Sequence, residues 1–363
     1  MQVKPNIANL PVYQPGKPVD DVKRELGLTE IIKLASNENP FGCSPKAKAA
    51  IEQELDQLSI YPDGAAVHLT NALAKHHGVN ADQIILGAGS DEVILMLARA
   101  YLSPGDETIM ADMTFSQYKH NAQVENAVII EVPMKNGTHD LPAMLARVTD
   151  KTKIIWICNP NNPTGTIVTK EEVEDFLAKV PQNIMVVLDE AYCEYIEDPA
   201  YPNGLELLKR YPNLVVLRTF SKIYGLAALR VGYGIARADV IRAVNPIRPP
   251  FNTSRVGQAA AAAALEDEAF IASCREANKK GLQYLNAQFA EMGLTPFPAY
   301  GNFIMVDVKR NGYDVYNALL RKGIIIRAGF GANYIRITVG SQEQNEKVIA
   351  ALKAVLQEVE AKV

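Results

Sequence analysis

The sequence predicts an α/β protein: a large domain whose mostly parallel sheet is covered by helices on both faces, plus a smaller α+β domain. Three features predict it. Short apolar runs alternate with helix-period segments from residue 45 to residue 236, the pattern of strands joined by helical crossovers. Asn, Asp, Ser and Thr gather where these runs end, which is where open α/β sheets bind ligands. After IRPPFNTSRVGQ (247–258) the texture changes to an alanine-rich helix, a second helix, a strand at 302–306, another helix and two strand-like runs. The expected division is an N-terminal arm at 1–29, the large domain at 45–248, and a small domain formed by 30–44 together with 249–363.

The chain has 363 residues, too many for one small module, and 48% of them are hydrophobic, enough for a core. A net charge of -4 with no basic run argues against nucleic acid or an acidic membrane surface as partner. The first residues lack the apolar core of a signal peptide, and no run approaches the roughly 18 apolar residues of a membrane span. A cytoplasmic location is expected. Cys43, Cys158, Cys193 and Cys274 form no Cys-x-x-Cys pair, while His76 and His77 are adjacent on a predicted helix and point to different faces. No metal is expected.

Pro5, Pro11, Pro15 and Pro18 interrupt the N-terminal stretch, so an extended arm carrying Tyr13 is expected. IIKLASNENPFG (31–42) reads as a short strand and a polar turn that holds Asn37. A helix over 45–58 leads to Tyr61, which precedes Pro62 and is therefore extended, and a second helix covers 66–77. A strand at 84–86 then meets a helix through Gly87, Ala88, Gly89 and Ser90. Such a junction aims backbone N–H groups from the positive end of the helix and binds anions. Glu92 stands where a dinucleotide fingerprint needs its third glycine, so a phosphate is expected there and not NAD. Asp91 is read as a cap on that helix, with its carboxylate turned away from the anion. ETIMADMTFSQY (107–118) is a strand and a turn followed directly by Phe115, an aromatic that either lies flat on a planar ring or, the commoner outcome, packs in the core. A strand at 127–132 and a helix in LPAMLARV (141–148) continue the alternation.

Chemistry gathers at the next three strand ends. KIIWICNPNNPTG (153–165) ends a strand at 154–158 with the amides of Asn161 and Asn162 between two prolines, and Thr169 with Glu172 forms a capping box for the following helix. In NIMVVLDEAYCEYI (183–196), Asp189 ends an apolar strand at 185–188 that is buried on both faces, where an unpaired carboxylate is costly. A pyridinium nitrogen would satisfy it, and so would the start of a helix. Tyr192 reaches the same region if the chain turns helical. TFSKIYGLAALR (219–230) follows an apolar run at 214–217 and sets Lys222 between the hydroxyls of Thr219 and Ser221 and an apolar segment ending in Arg230. Taken alone, a Ser-Lys pair behind a strand is an ordinary surface lysine. A lysine amine held where it loses its proton, however, forms a Schiff base with an aldehyde, and hydroxyls with an arginine suit a phosphate. Together these describe a seat for pyridoxal phosphate. A strand at 231–236 follows. Later, IIIRAGF (324–330) and YIRITVG (334–340) read as neighbouring strands carrying Arg327 and Arg336; arginines inside strands are usually solvent-facing or paired, whereas two near a cleft favour an anionic substrate.

In this order and spacing, NPNNPTG, LDEAY and TFSKIYGLAALRVGY resemble the fold-type I pyridoxal-phosphate aminotransferases over nearly the whole length. YQPGKP (13–18), ASNENPFG (35–42), YPD (61–63) and the arginine pair bring the resemblance closer, to the histidinol-phosphate aminotransferases. The resemblance implies a catalytic set of Lys222, Asp189 and Tyr192. Lys222 forms the Schiff base with the cofactor and then carries the substrate's proton, Asp189 pairs with the pyridine nitrogen, Asn162 and Tyr192 hydrogen-bond the ring oxygen, and Phe115 stacks on the ring. Gly89, Ser90 and Asp91 through their backbone, with Thr219, Ser221 and Arg230, hold the phosphate, which Tyr61 reaches from the other subunit of a homodimer. Tyr13, Asn37, Asn162, Arg327 and Arg336 meet the substrate. The implied reaction is a ping-pong transfer between L-histidinol phosphate and 2-oxoglutarate, giving imidazole-acetol phosphate and L-glutamate. One donor carries a phosphate and the other two carboxylates, and an arginine fork matches both groups. Phe251 stands where the family often has tyrosine, which leaves room for phenylalanine or tyrosine as substrate; phospho-amino-acid decarboxylation on the same scaffold is a further alternative. Burial beside Arg230 is expected to lower the pKa of Lys222.

Overall fold

The computed structural model describes residues 1–8, 10–12 and 16–360. Its central sheet contains β1 (Ile84–Gly87), β2 (Glu107–Ala111), β3 (Val128–Val132), β4 (Thr152–Cys158), β5 (Met185–Asp189), β6 (Leu214–Thr219) and β7 (Gly232–Ile235). The spatial order is β1-β7-β6-β5-β4-β2-β3, and only β7 runs against its neighbours. β7 is antiparallel because the segment joining it to β6 holds one 3-10 turn, Ala227–Leu229, in place of the helix a parallel crossover needs. Along β4, β5 and β6 the side chains alternate between two cores, Trp156, Val187 and Leu217 on one face and Ile155, Val186 and Val216 on the other. Burial on both faces is why these strands read as unbroken apolar runs.

A second unit is built on β8 (Phe303–Asp307), β9 (Arg327–Ala328) and β10 (Tyr334–Thr338), antiparallel in the order β9-β10-β8. Leu285 and Phe289 of helix Glu268–Glu291, Val315 and Leu319 of Gly312–Arg321, and Val348 and Leu352 of Gln342–Glu360 supply its core. The expected neighbouring strands are more finely divided: Ile324–Ile325 pairs in parallel with Ile32–Lys33, and only Arg327–Ala328 pairs with β10. Residues 32–34 thereby join the C-terminal unit.

Several local expectations are corrected. The arm is not wholly extended: Val19–Leu26 is a helix, closed at Gly27 with φ 66°. Pro18 sits at its N-cap, where a missing N–H costs nothing, and Val22 is buried against Ala35 and Ile325. Phe115 is followed directly by a helix, Ser116–Val124, that the strand-and-turn reading of 107–118 does not include. The helix expected at 45–58 ends at Glu54 and tightens into the 3-10 turn Leu55–Gln57. Helix Arg255–Leu265 was grouped with the small domain, but its alanines pack with Ala47, Leu69 and Leu73 beside the large sheet. Small side chains let it approach those helices closely.

Beneath the ends of β5 and β6, Arg218 Nη2 and Nε donate to Glu190 Oε2 at 2.8 and 3.1 Å, and Glu190 Oε1 accepts from the Gly204 N–H at 3.0 Å. Glu190 is fully buried. Replacing Arg218 with Met strands that carboxylate and should lower stability to urea denaturation by about 3–5 kcal/mol. Adding Glu190→Gln, which removes the charge but keeps the acceptor for Gly204, should recover most of the loss.

Candidate active site

The carboxyl ends of β4, β5 and β6 open into a cavity of about 610 Å³, within the range of small-molecule sites. Parallel register sets Cys158 beside Asp189, and Asp189 beside Leu217, so these ends lie level. The cavity wall gathers Asn37, Gly89, Ser90, Asp91, Phe115, Asn162, Asp189, Tyr192, Thr219, Ser221, Lys222, Arg230, Arg327 and Arg336 from every part of the chain.

Lys222 leaves β6 three residues after Thr219, and its Nζ donates to the Ser36 carbonyl at 3.4 Å. Its pKa falls to about 8, because burial disfavours the ammonium and the Arg336 cation adds to the effect; Asp91 and Glu38 oppose it, and Arg230 contributes less. Arg336 therefore replaces Arg230 as the main charged neighbour. Asp189, only 3% exposed, ends β5. Its Oδ2 accepts from the Tyr118 hydroxyl at 2.6 Å and its Oδ1 from the Ala191 N–H at 3.2 Å. Burial raises its pKa to about 6, and these two donors hold it from rising further. The carboxylate caps no helix; the next element is the 3-10 turn Cys193–Tyr195, whose N-cap is Tyr192.

Gly89, at φ 79°, is the N-cap of helix Ser90–Tyr101, and no side chain caps it. A Cβ on Gly89 would stand 2.5 Å from Arg230 Nη2, so only glycine lets the guanidinium lie over the turn. Asp91 does not cap, nor does its carboxylate turn away: Oδ2 is 3.7 Å from Arg230 Nη2. The turn is held instead by Glu92, whose Oε2 accepts from the Ala88 N–H at 2.7 Å and from Asn252 Nδ2 at 2.6 Å. Arg230 Nη1 donates to Ser221 Oγ at 3.2 Å, and Thr219 Oγ1 accepts from the Ser221 N–H at 3.1 Å. Gly232 of β7 closes this corner, since a Cβ there would lie 2.2 Å from the Ser90 nitrogen.

The opposite wall links the two units. Asn37, at φ 56°, donates through Nδ2 to the Tyr192 hydroxyl at 3.0 Å and through its backbone N–H to Thr338 Oγ1 at 3.0 Å. Arg336 donates to Asn162 Oδ1 and, at 2.8 Å, to the Ala35 carbonyl, with its guanidinium 5.2 and 5.3 Å from the ring centres of Phe303 and Phe330. Arg327 is its cross-strand partner in the β9-β10 register, so the two cations share one face.

Phe115 is half-buried and meets Tyr118 edge-on, with ring centres 5.6 Å apart. Tyr61 is 75% exposed, stacked on Phe251 at 4.6 Å, and neither ring lines the cavity of its own chain. Tyr13 lies outside the described residues. Tyr118, Glu92 and Ser36 are the contributors that sequence reasoning missed. Glu92 carried a visible signal, an acid inside the anion turn, but was read only as an absent glycine. Among the described residues no cluster of three metal-ligating side chains occurs, and no helix is long and apolar enough to cross a membrane.

The family profile for aminotransferase class I and II matches residues 29–352. The histidinol-phosphate aminotransferase of Brevibacillus brevis is 54% identical over 359 residues, covering 98% of this chain and 99% of that one. That of Bacillus subtilis strain 168 is 49% identical, covering 98% and 100%. Among solved structures, the histidinol-phosphate aminotransferase from Sinorhizobium meliloti in complex with pyridoxal-5'-phosphate superposes with a TM-score of 0.91 at 29% identity, covering 99% of this chain and 98% of that one. This chain belongs to the class I and II aminotransferases, and within them to the histidinol-phosphate aminotransferase family.

Proposed function

We propose that this aminotransferase exchanges an amino group between L-histidinol phosphate and 2-oxoglutarate, giving imidazole-acetol phosphate and L-glutamate in histidine biosynthesis, with pyridoxal 5'-phosphate as cofactor. The observation that carries the reading is one cavity holding a partly buried lysine, a buried carboxylate and two separate anion seats. The residues present fit the cofactor. An amine of lowered pKa suits its aldehyde, and a carboxylate without a cationic hydrogen-bond partner suits its ring nitrogen. The cradle that a Cβ on Gly89 would fill suits its phosphate. The Arg327 and Arg336 pair is left for the substrate's phosphate or carboxylate.

When bound, pyridoxal phosphate supplies an aldehyde and an electron-accepting ring that spreads the charge left by a departing Cα proton. Asp189 would keep a proton on the ring nitrogen by remaining negative beside it. Lys222 Nζ, held toward its neutral form, would take the proton from the substrate carbon. Ser90, Ser221, Thr219 and Arg230 would hold the phosphate, while Asn162 and Tyr192 would orient the ring oxygen, so that both half-reactions share one geometry. Arg336, held between Asn162 and the Ala35 carbonyl, is already oriented for an anion before one arrives. For the assembly, we infer a homodimer that places Tyr61 at the partner's phosphate. Tyr61 and Phe251 belong to an exposed apolar patch with Leu58 and Ile60, the kind of surface a partner covers.

Four outcomes are expected. Only the neutral amine attacks an aldehyde, so the visible band that forms when pyridoxal phosphate is added to cofactor-free protein should appear faster as pH rises, with a midpoint near 8. Lys222→Ala should give no borohydride-fixed adduct at that position and a kcat lower by roughly 10²–10⁴-fold; an adduct elsewhere on an active protein refutes the assignment. Next, kcat/KM should favour histidinol phosphate over phenylalanine by about 10²-fold or more. The reverse preference would move the enzyme to the aromatic aminotransferases. Finally, Tyr61→Phe should weaken retention of pyridoxal phosphate in equilibrium dialysis by about tenfold, the scale of one hydrogen bond to a charged group. An unchanged dissociation constant would remove Tyr61 from the site.

A further inference from the structure

One buried hydroxyl stands behind Asp189, outside the residues that line the cavity. Tyr118 is fully buried on helix Ser116–Val124, and its O–H is 2.6 Å from Asp189 Oδ2. Its ring lies nearly parallel to the Trp156 indole, with centroids 5.0 Å apart and 11° between planes, while the Phe115 edge closes another side. Trp156 is itself pinned: Nε1 donates to Thr108 Oγ1 at 2.8 Å, and that hydroxyl donates to the Ile154 carbonyl at 2.9 Å. The ring is thereby held with its hydroxyl against Asp189 Oδ2, and the Cys158 thiol lies beside it.

We propose that Tyr118 is a positioning residue for Asp189: its hydroxyl fixes the carboxylate and keeps it ionised, so that a full negative charge is presented to a cation in the cavity. The proposal rests on the reading that Asp189 faces a protonated ring nitrogen. A cationic donor in the same place would orient the carboxylate but also neutralise it, whereas a phenol orients it and leaves its charge in place. The groups facing Asp189 are Tyr118 from the helix, Cys158 from β4, the Ala191 N–H and Tyr192 from the loop after β5, and the more distant carboxylates Asp91 and Glu190. Burial and those two carboxylates favour the neutral acid; Tyr118 is the largest opposing influence.

Tyr118→Phe keeps the ring and its stack on Trp156 and deletes only the hydroxyl. In cofactor-free protein carrying ¹³C-labelled aspartate, the Asp189 carboxyl should then titrate about one unit or more higher than in the parent. An unchanged midpoint, with or without a lower melting temperature, overturns the proposal. In protein loaded with pyridoxal phosphate, the same substitution should lower kcat at neutral pH by about tenfold, with KM for both substrates nearly unchanged and the pH midpoint of the cofactor's visible band displaced. A band and a kcat that match the parent at every pH also overturn it. If the parent itself takes up no pyridoxal phosphate, the reading of the site fails, and the titration of the cofactor-free protein still decides whether Tyr118 governs Asp189.

Discussion

Burial drives both ionisable groups at the heart of the cavity toward their neutral forms, and the surrounding structure adjusts each by a different means. Lys222 is pushed toward its neutral form by desolvation and by a neighbouring cation, and both influences act in the same direction. Asp189 is pushed toward its neutral form by the same desolvation, but two hydrogen-bond donors oppose that push. An amine that is easily uncharged and an acid that stays charged are what the proposed proton transfer at carbon would require of this pair. Nothing about either residue type dictates that outcome; their neighbours do.

Those neighbours are delivered by sheet geometry. Parallel strands bring Cys158, Asp189 and Leu217 into line, and the reversal of β7 brings Gly232 under the anion turn. The remaining wall is borrowed from the second unit. Asn37 bonds Thr338, Asn302 Nδ2 donates to the Asn37 carbonyl at 2.9 Å, and Arg336 spans Asn162 and Ala35. The spacing between Lys222 and the arginine pair is thus set by contacts between units and not by either unit alone.

Much of this was legible in the sequence, for a physical reason. Strands buried on both faces leave long apolar runs, so a polar residue directly after one, such as Asp189 or Lys222, stands out as a residue with work to do. Arg327 and Arg336 were visible for the same reason, and their shared face follows from the register that pairs them. What remained hidden depends on partners distant in sequence. Tyr118 looks like any core tyrosine until Asp189, 71 residues away, is placed beside it. Glu92 finds Asn252 across 160 residues. Asp91 was misread because a capping pattern is local, whereas the cation beside it, Arg230, arrives from another strand end. The helix at Val19–Leu26 was masked by the prolines before it, although Pro18 lies just outside the helix, where its missing N–H removes no helical hydrogen bond.

Helix Glu268–Glu291 runs without interruption from one core into the other: Cys274 is packed beside the large sheet, and Leu285 and Phe289 lie under the small one. An engineer wishing to swap the C-terminal unit between related enzymes therefore finds no clean seam at 249 or at 268. The cut must fall inside a continuous rod, and every chimera inherits one half fitted to a foreign neighbour.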